Sequence, residues 1–175
     1  MLVIKNKYFE FIIIILSGAL YTFSFAPIDF KIGIFISLIL FLYILSISSK
    51  RASIFKSFLY GIAVFASGVS WIFNSIYYYG GEDIFVSSII TLFFILLLSI
   101  FFIPLGYFIN KDNDMSKSYM PVIVASIWVI LEFIRSNIFT GFPWLLVGTS
   151  QTGTFFDSLY PIFGTYIVSF FVVMI

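Results

Sequence analysis

The stretch IFVSSIITLFFILLLSIFFIPLGYFIN, residues 84–110, contains no charged side chain and decides the class of fold. A helix needs about 20 apolar residues to cross the roughly 30 Å of hydrocarbon in a bilayer. This stretch is long enough to do so. It therefore predicts a helix that spans a membrane.

The composition of the whole chain agrees with that prediction. Hydrophobic residues make up 62% of the 175 positions and charged residues only 10%, with a mean hydropathy of +1.16. Soluble globular chains carry about 25% charged residues. Because so few charges cannot cover a water-facing surface, most of the surface is expected to face lipid. The net charge of +1 gives no bias toward nucleic acid as a partner.

Similar apolar runs lie on both sides of this stretch and predict an all-α, polytopic transmembrane bundle of about six helices. The predicted spans are residues 9–26, 32–49, 57–78, 84–109, 119–135 and 158–175. Segment 136–157, which is uncharged as far as Phe156, is assigned to an external loop or re-entrant piece, because its Gly and Pro residues prevent a full crossing. The sixth run is still apolar at Ile175, so we expect the last helix to be truncated there.

Basic residues predict the orientation. With the N-terminus in the cytoplasm, most of them fall in cytoplasmic segments, as the positive-inside rule requires, and only Lys31 and Arg135 fall outside. The cytoplasmic set is Lys5, Lys7, Lys50, Arg51, Lys56, Lys111 and Lys117. The first run also has features of a signal peptide, but Pro27 directly after the cleavage-like sequence Ser24–Ala26 would obstruct cleavage. We expect a retained helix.

The chain contains no Cys and no His. This excludes thiol nucleophiles, imidazole bases, disulfides, and metal sites built from thiolate or imidazole. No metal or cofactor is predicted.

The conspicuous polar and aromatic residues gather near the predicted external face. Trp71 fits either an aromatic anchor at the headgroups or a binding site. Glu132 and Arg135 lie three positions apart, so they can pair on one helix face, and intramembrane charges are also candidate functional groups. The apolar turn Gly141–Trp144 in an external loop suggests a buried or bound partner.

Taken in order, these landmarks give the chain its resemblance to a known family. The sequence resembles the N-terminal membrane portion of bacterial apolipoprotein N-acyltransferases. The resemblance rests on Phe25-Ala26-Pro27 with Asp29, Gly68-Val69-Ser70-Trp71, Gly80-Gly81, Glu132-Phe133-Ile134-Arg135, Thr140-Gly141-Phe142-Pro143-Trp144, Gly148, Ser150-Gln151, Pro161 and Gly164.

The resemblance implies acyl transfer in bacterial lipoprotein maturation, in the cytoplasmic (inner) membrane. In that family an acyl chain passes from a phospholipid to a Cys thioester, and then to the amino group of a diacylglyceryl apolipoprotein. The thiol belongs to a nitrilase-like domain that follows the membrane helices. Since this chain has no Cys, no catalytic residue is carried over, and the chain alone is expected to be inactive.

The resemblance implies that the membrane portion provides a groove for the two lipid-anchored substrates. In this view Arg135 meets a phosphate and Glu132 orients it. The candidate groove residues are Trp71, Glu132, Arg135, Gly141, Phe142, Pro143, Trp144 and Gln151.

Two other interpretations stay open at this point. Six helices also describe the substrate-binding membrane subunit of a small-molecule importer, which would place a polar site at midspan. The chain could also be a truncated relic of the enzyme, which is kept as a scaffold or not kept at all. Sequence downstream of residue 175 distinguishes them, because a Glu, Lys and Cys frame there favours the enzyme.

Overall fold

The computed structural model describes residues 7–138 and 140–175. Lys5, used in the orientation argument, and Phe139, inside the predicted external loop, lie outside the described residues. All regular elements within the described ranges are helical. The α-helices are α1 Lys7–Phe23, α2 Gly33–Ile47, α3 Lys50–Gly68, α4 Trp71–Asn74, α5 Ile84–Ser99, α6 Ile103–Phe108, α7 Met120–Asn137 and α8 Tyr160–Met174. A π-helical turn covers Ser75–Tyr79, and 3-10 turns cover Ile100–Phe102, Val147–Gln151 and Phe155–Leu159.

Three helices are long and apolar enough to cross a bilayer: Ile84–Phe108, Met120–Asn137 and Phe155–Met174. A fourth crossing is formed if the bent pair Lys50–Gly68 and Trp71–Tyr79 counts as one broken span. Two shorter apolar helices, Tyr8–Phe23 and Gly33–Ile47, complete the set. This architecture confirms the predicted helical membrane bundle, while the six crossings and their boundaries stay a prediction.

Local sequence features explain where the longest span begins and why it continues past a proline. The Asp83 carboxylate accepts the free N–H groups of Phe85 and Val86 at 2.7 and 2.9 Å, which caps the first turn of α5. Pro104 has no N–H to donate, and it lies in the first turn of α6. The 3-10 turn Ile100–Phe102 joins α5 to α6, so the span continues through the proline.

The third span differs from the continuous helix expected over residues 57–78. Helix α3 begins earlier, at Lys50, and the chain bends by 48° between Gly68 and Trp71. Lys56 lies inside this helix, where it is buried, pairs with Glu10 and donates to the Ser48 hydroxyl at 2.6 Å. A paired, hydrogen-bonded Lys is tolerated in an apolar setting. Helix α3 therefore includes Lys50, Arg51 and Lys56, which lie before the predicted span.

The core is aromatic and lies where α1, α2, α3 and α7 meet. The Phe41 and Tyr60 rings stack with centroids 3.9 Å apart, and Tyr21 meets Tyr60 edge-on. The Tyr60 and Ser37 hydroxyls lie 2.7 Å apart, and Ser37 donates to the Ser17 carbonyl at 2.6 Å. The Tyr60 and Ser37 hydroxyls inside this core thus have partners, as burial away from water requires.

Hydrogen bonds between loops show which loops share an end of the bundle. Gln151 Nε2 donates to the Lys31 carbonyl at 3.2 Å, which places the α1–α2 loop and the 136–157 segment at one end of the bundle. At the other end, the Lys111 N–H donates to the Ser48 carbonyl at 2.9 Å. The two loop pairs correspond to the external and cytoplasmic sets of the topology prediction.

We expect reporter fusions at Lys31, Gly81 and Asp157 to give an external signal, and fusions at Arg51 and Asp114 a cytoplasmic signal. The physical reason is the retention of basic loops on the cytoplasmic side. Paired phosphatase and fluorescent-protein fusions measure each position twice, with opposite readouts. A cytoplasmic signal at Gly81 would contradict the six-span topology.

Candidate functional site

A cavity of about 800 Å³ opens at the end of the bundle that carries the α1–α2 loop. Its volume lies within the range of roughly 300–1,000 Å³ typical of small-molecule sites. The lining is mixed, with aromatic rings, hydroxyl groups and one ion pair. It is formed by Thr22, Phe23, Phe25, Ala26, Pro27, Ile28, Asp29, Lys31, Ser67, Gly68, Ser70, Trp71, Pro143, Trp144, Leu145, Thr149 and Thr152. We call it the external cavity.

Two exposed tryptophans contact each other in the lining of the external cavity. The Trp71 and Trp144 rings lie 5.6 Å apart at an angle of 55°, and the residues are 45% and 49% exposed. The bend after Gly68 positions Trp71, while the 141–147 segment returns Trp144 to the same place. At Gly68 a side chain would overlap Leu145, so the missing Cβ lets this segment pack directly on α3. Gly68 therefore permits close packing between α3 and this segment.

Arg135 holds the 141–147 segment from beneath. Its Nη1 donates to the carbonyls of Phe142 and Trp144 at 2.7 and 2.6 Å, and the Phe142 N–H donates back to the Arg135 carbonyl at 3.0 Å. The residue is only 5% exposed, and its guanidinium lies 5.4 Å from the centre of the Phe65 ring. Backbone carbonyl groups buried in an apolar bundle need hydrogen-bond donors, and the Arg135 guanidinium is the donor here.

Glu132 supports the same segment from the next turn of α7. Its Oε1 accepts from the Val147 N–H at 2.7 Å and from Trp128 Nε1 at 3.1 Å, and the residue is 4% exposed. The Ser169 side chain on α8 faces the same carboxylate. The expected Glu132–Arg135 pair is not formed directly, because each side chain bonds to the loop instead. Ion pairs among the described residues are Lys31–Asp29 and Lys56–Glu10.

Gly141 and Phe142 shape the entry of the segment. Gly141 has φ +76°, a left-handed conformation that favours glycine, and a Cβ there would overlap the Ser136 carbonyl. The Phe142 ring meets Phe94 of α5 edge-on at 5.0 Å. Phe142 is thus packed against the bundle, while Pro143 and Trp144 face the external cavity.

Gln151 lies away from the cavity lining and is buried. Its Nε2 donates to the Lys31 carbonyl and to Ser150 Oγ, both at 3.2 Å. It therefore fixes the α1–α2 loop against the 3-10 turn Val147–Gln151. Among the predicted groove residues, Trp71, Pro143 and Trp144 line the cavity, and the others position the backbone around it.

Several residues that complete the site carry weak signals in the sequence. Tyr21 donates to the Leu145 carbonyl at 2.8 Å, and Tyr160 donates to the Gly148 carbonyl at 2.6 Å. The Gly148 N–H donates to Ser169 Oγ at 2.8 Å. The available signal in the sequence was a polar side chain inside an apolar run. The sequence alone does not show which backbone atom that side chain contacts.

The lining of the external cavity is suited to binding a ligand. The chain has no Cys or His, and the described residues hold no carboxylate cluster that fits a metal ion. The buried charges nearest the cavity, Glu132 and Arg135, are engaged with backbone groups. The external cavity offers exposed rings, hydroxyls and an ammonium group, which suits a ligand with an apolar and a polar part.

A family model described as apolipoprotein N-acyltransferase N-terminal domain matches residues 17–175. The match includes both halves of the external cavity: the α1–α2 loop and the 141–147 segment.

Curated relatives agree with that match. The chain is 33% identical to an apolipoprotein N-acyltransferase of Pasteurella multocida over 171 residues, which is 98% of this chain and 32% of the relative. It is 36% identical to that of Haemophilus influenzae over 168 residues, 96% of this chain and 31% of the relative. The corresponding protein of Methylococcus capsulatus is 36% identical over 151 residues, 85% of this chain and 30% of the relative. The chain thus spans about a third of the length of the curated relatives it matches. It belongs to the apolipoprotein N-acyltransferase N-terminal domain family.

Proposed function

We propose that this chain is the lipid-binding membrane portion of a phospholipid–apolipoprotein N-acyltransferase in the bacterial cytoplasmic (inner) membrane. Its work is to hold the phospholipid acyl donor, and in turn the diacylglyceryl apolipoprotein acceptor, at the external membrane surface. The observation that carries the proposal is the external cavity, where Trp71 and Trp144 meet beside a polar rim. Trp side chains favour the membrane interface because the ring is apolar and its N–H is polar.

The nucleophile of the reaction is assigned to a nitrilase-like domain outside this chain. The sequence has neither a thiol nor an imidazole, and Glu132 and Arg135 are committed to backbone groups of the 141–147 segment. We therefore assign substrate positioning to this chain and expect acyl transfer to require that domain. No cofactor is needed for the transfer, because the thioester itself stores the acyl group.

The importer interpretation fits the interior less well. The cavity beside Glu132 and Arg135 has a volume of only about 20 Å³, enough for little more than one water molecule. A larger cavity of about 490 Å³ between α2, α7 and α8 is lined largely by apolar side chains such as Leu38, Val124 and Val172. A vitamin-sized polar ligand finds no matching site in either one.

Quenching of tryptophan fluorescence by a phospholipid with dibrominated acyl chains tests the proposal on this chain in detergent. We expect saturable quenching, because bromines bound in the external cavity contact Trp71 and Trp144. Trp128 is buried and supplies an internal reference. In the double variant Trp71→Phe/Trp144→Phe, where only Trp128 emits, quenching should be largely lost.

A matched pair of substitutions separates the cavity from the lipid annulus. Ser70→Phe adds a ring inside the cavity lining, while Ser88→Phe adds the same ring on the exposed side of α5. Saturable quenching should be lost in the first variant and retained in the second. Equal quenching in both would show that only annular lipid is seen, and the proposal would fail.

A further inference from the structure

Lys31 is the basic residue among the described residues that line the external cavity. Its ammonium group pairs with the Asp29 carboxylate at 2.5 Å. The Lys31 side chain is 25% exposed and that of Asp29 is 55% exposed, so the pair lies at the rim rather than in the core. Ion pairs at such exposed positions are weak, and a better anion can displace the carboxylate.

The backbone of Lys31 is fixed in place, although its side chain remains accessible. The Lys31 carbonyl accepts from buried Gln151, and the Lys31 N–H donates to the Asp29 carbonyl at 2.9 Å. These bonds hold the Lys31 backbone at the cavity rim, so its ammonium group stays within reach of a ligand there.

The chemistry around Lys31 favours a phosphate on a lipid. Ser70, Thr149 and Thr152 add hydroxyl groups to the same lining, and Phe23 and Trp144 add apolar rings. Lysine is a common phosphate ligand as a compact point charge, and hydroxyls supply further hydrogen bonds. The rings accommodate the hydrocarbon attached to that phosphate. Arg135, the other external basic residue of the sequence argument, is occupied with loop carbonyls.

We infer that Lys31 binds the phosphodiester of a glycerophospholipid in the external cavity, and that Asp29 competes with this phosphate for the ammonium group. This inference rests on the proposed function, since it assigns the headgroup contact of the same site. It makes Lys31 a specificity-determining residue that distinguishes a phospholipid from a diacylglycerol. It also predicts that removing the Asp29 carboxylate strengthens phospholipid binding, whereas removing the Lys31 charge weakens it.

The test measures tryptophan quenching by dibrominated phosphatidylcholine and by dibrominated diacylglycerol, which lacks the phosphate. Lys31→Gln should weaken phosphatidylcholine binding about tenfold, the loss expected for one charge-assisted hydrogen bond. Binding of diacylglycerol should not change. Lys31→Arg should retain phosphatidylcholine binding. Asp29→Asn should tighten it, because the competing carboxylate is gone.

Lys111→Gln removes a basic residue from the opposite end of the bundle and should leave both affinities unchanged. Far-UV circular dichroism verifies that each variant is folded. Failure of inorganic phosphate in excess to displace the lipid is expected, because the hydrocarbon contributes to binding. Full displacement by inorganic phosphate would contradict the contribution to binding assigned to the rings and the hydrocarbon.

The outcomes separate this inference from the function on which it rests. If neither lipid quenches saturably in the unmodified chain, the proposed lipid site itself fails. If both lipids bind and Lys31→Gln weakens neither, the lipid site stands and the phosphate contact is wrong. A loss in Lys31→Gln that Lys31→Arg does not restore would also contradict it, because both side chains carry the required charge.

Discussion

Replacing Arg135 by Met is expected to lower the free energy of unfolding by about 3–5 kcal/mol, the range for breaking a buried charged network. Met fills a similar volume but donates no hydrogen bond. The carbonyls of Phe142 and Trp144 then lose their donor, at about 1–3 kcal/mol for each buried group. Glu132 also loses the favourable charge of its neighbour. Titration with a denaturing detergent, followed by far-UV circular dichroism, measures the difference.

The same substitution should release the loop before it unfolds the bundle. With Arg135→Met, protease added from the external side is expected to cut within residues 141–153 under conditions where the unmodified chain is protected. Arg51→Met is the matched control, since Arg51 is exposed at the start of α3 and surface substitutions usually change stability by less than about 0.5 kcal/mol. Equal stability and equal protection in both variants would contradict the role assigned to Arg135.

The class of fold was predictable because it depends on composition and on uncharged length, both of which are local properties. The stretch from 84 to 108 is helical in the structure as its sequence predicts. The break at Gly68–Trp71 was harder to predict, because glycine and serine in a membrane helix serve close packing as readily as a bend. Its cause lies in tertiary structure: Leu145, distant in sequence, packs against Gly68.

Most residues of the candidate site could be predicted from the sequence. Their roles were much harder to predict. Trp71 and Trp144 were singled out separately, but nothing in either segment states that their rings meet. Helical spacing suggested that Glu132 and Arg135 pair, since only their own helix was considered. A loop that returns to that helix brings unpaired N–H and C=O groups, and in an apolar environment these compete successfully for the charges. Tyr21 was overlooked for the same reason.

Gly148→Ala is expected to cost about 3 kcal/mol, through overpacking and the hydrogen bonds it disturbs. A Cβ at this position would overlap the Thr165 carbonyl of α8 and lie 2.9 Å from Thr165 Cγ2. The backbone of Gly148 is also bonded on both sides, to Ser169 and to Tyr160. The turn must therefore move away from α8, and detergent titration of the variant should show the loss.

Gly153→Ala adds the same methyl group in the same loop, but nothing lies within 4 Å of it. Its cost is limited to the left-handed conformation at φ +84°, about 1–2 kcal/mol. The two variants also differ in their effect on the cavity. The turn at Gly148 carries Thr149 into the cavity lining, so its displacement should weaken saturable quenching by brominated phospholipid. Equal stability losses in both variants would show that α8 yields to the methyl group. Retained quenching in Gly148→Ala would show that the cavity does not depend on this contact, because the lining residues would then keep their places while the turn beneath them moved.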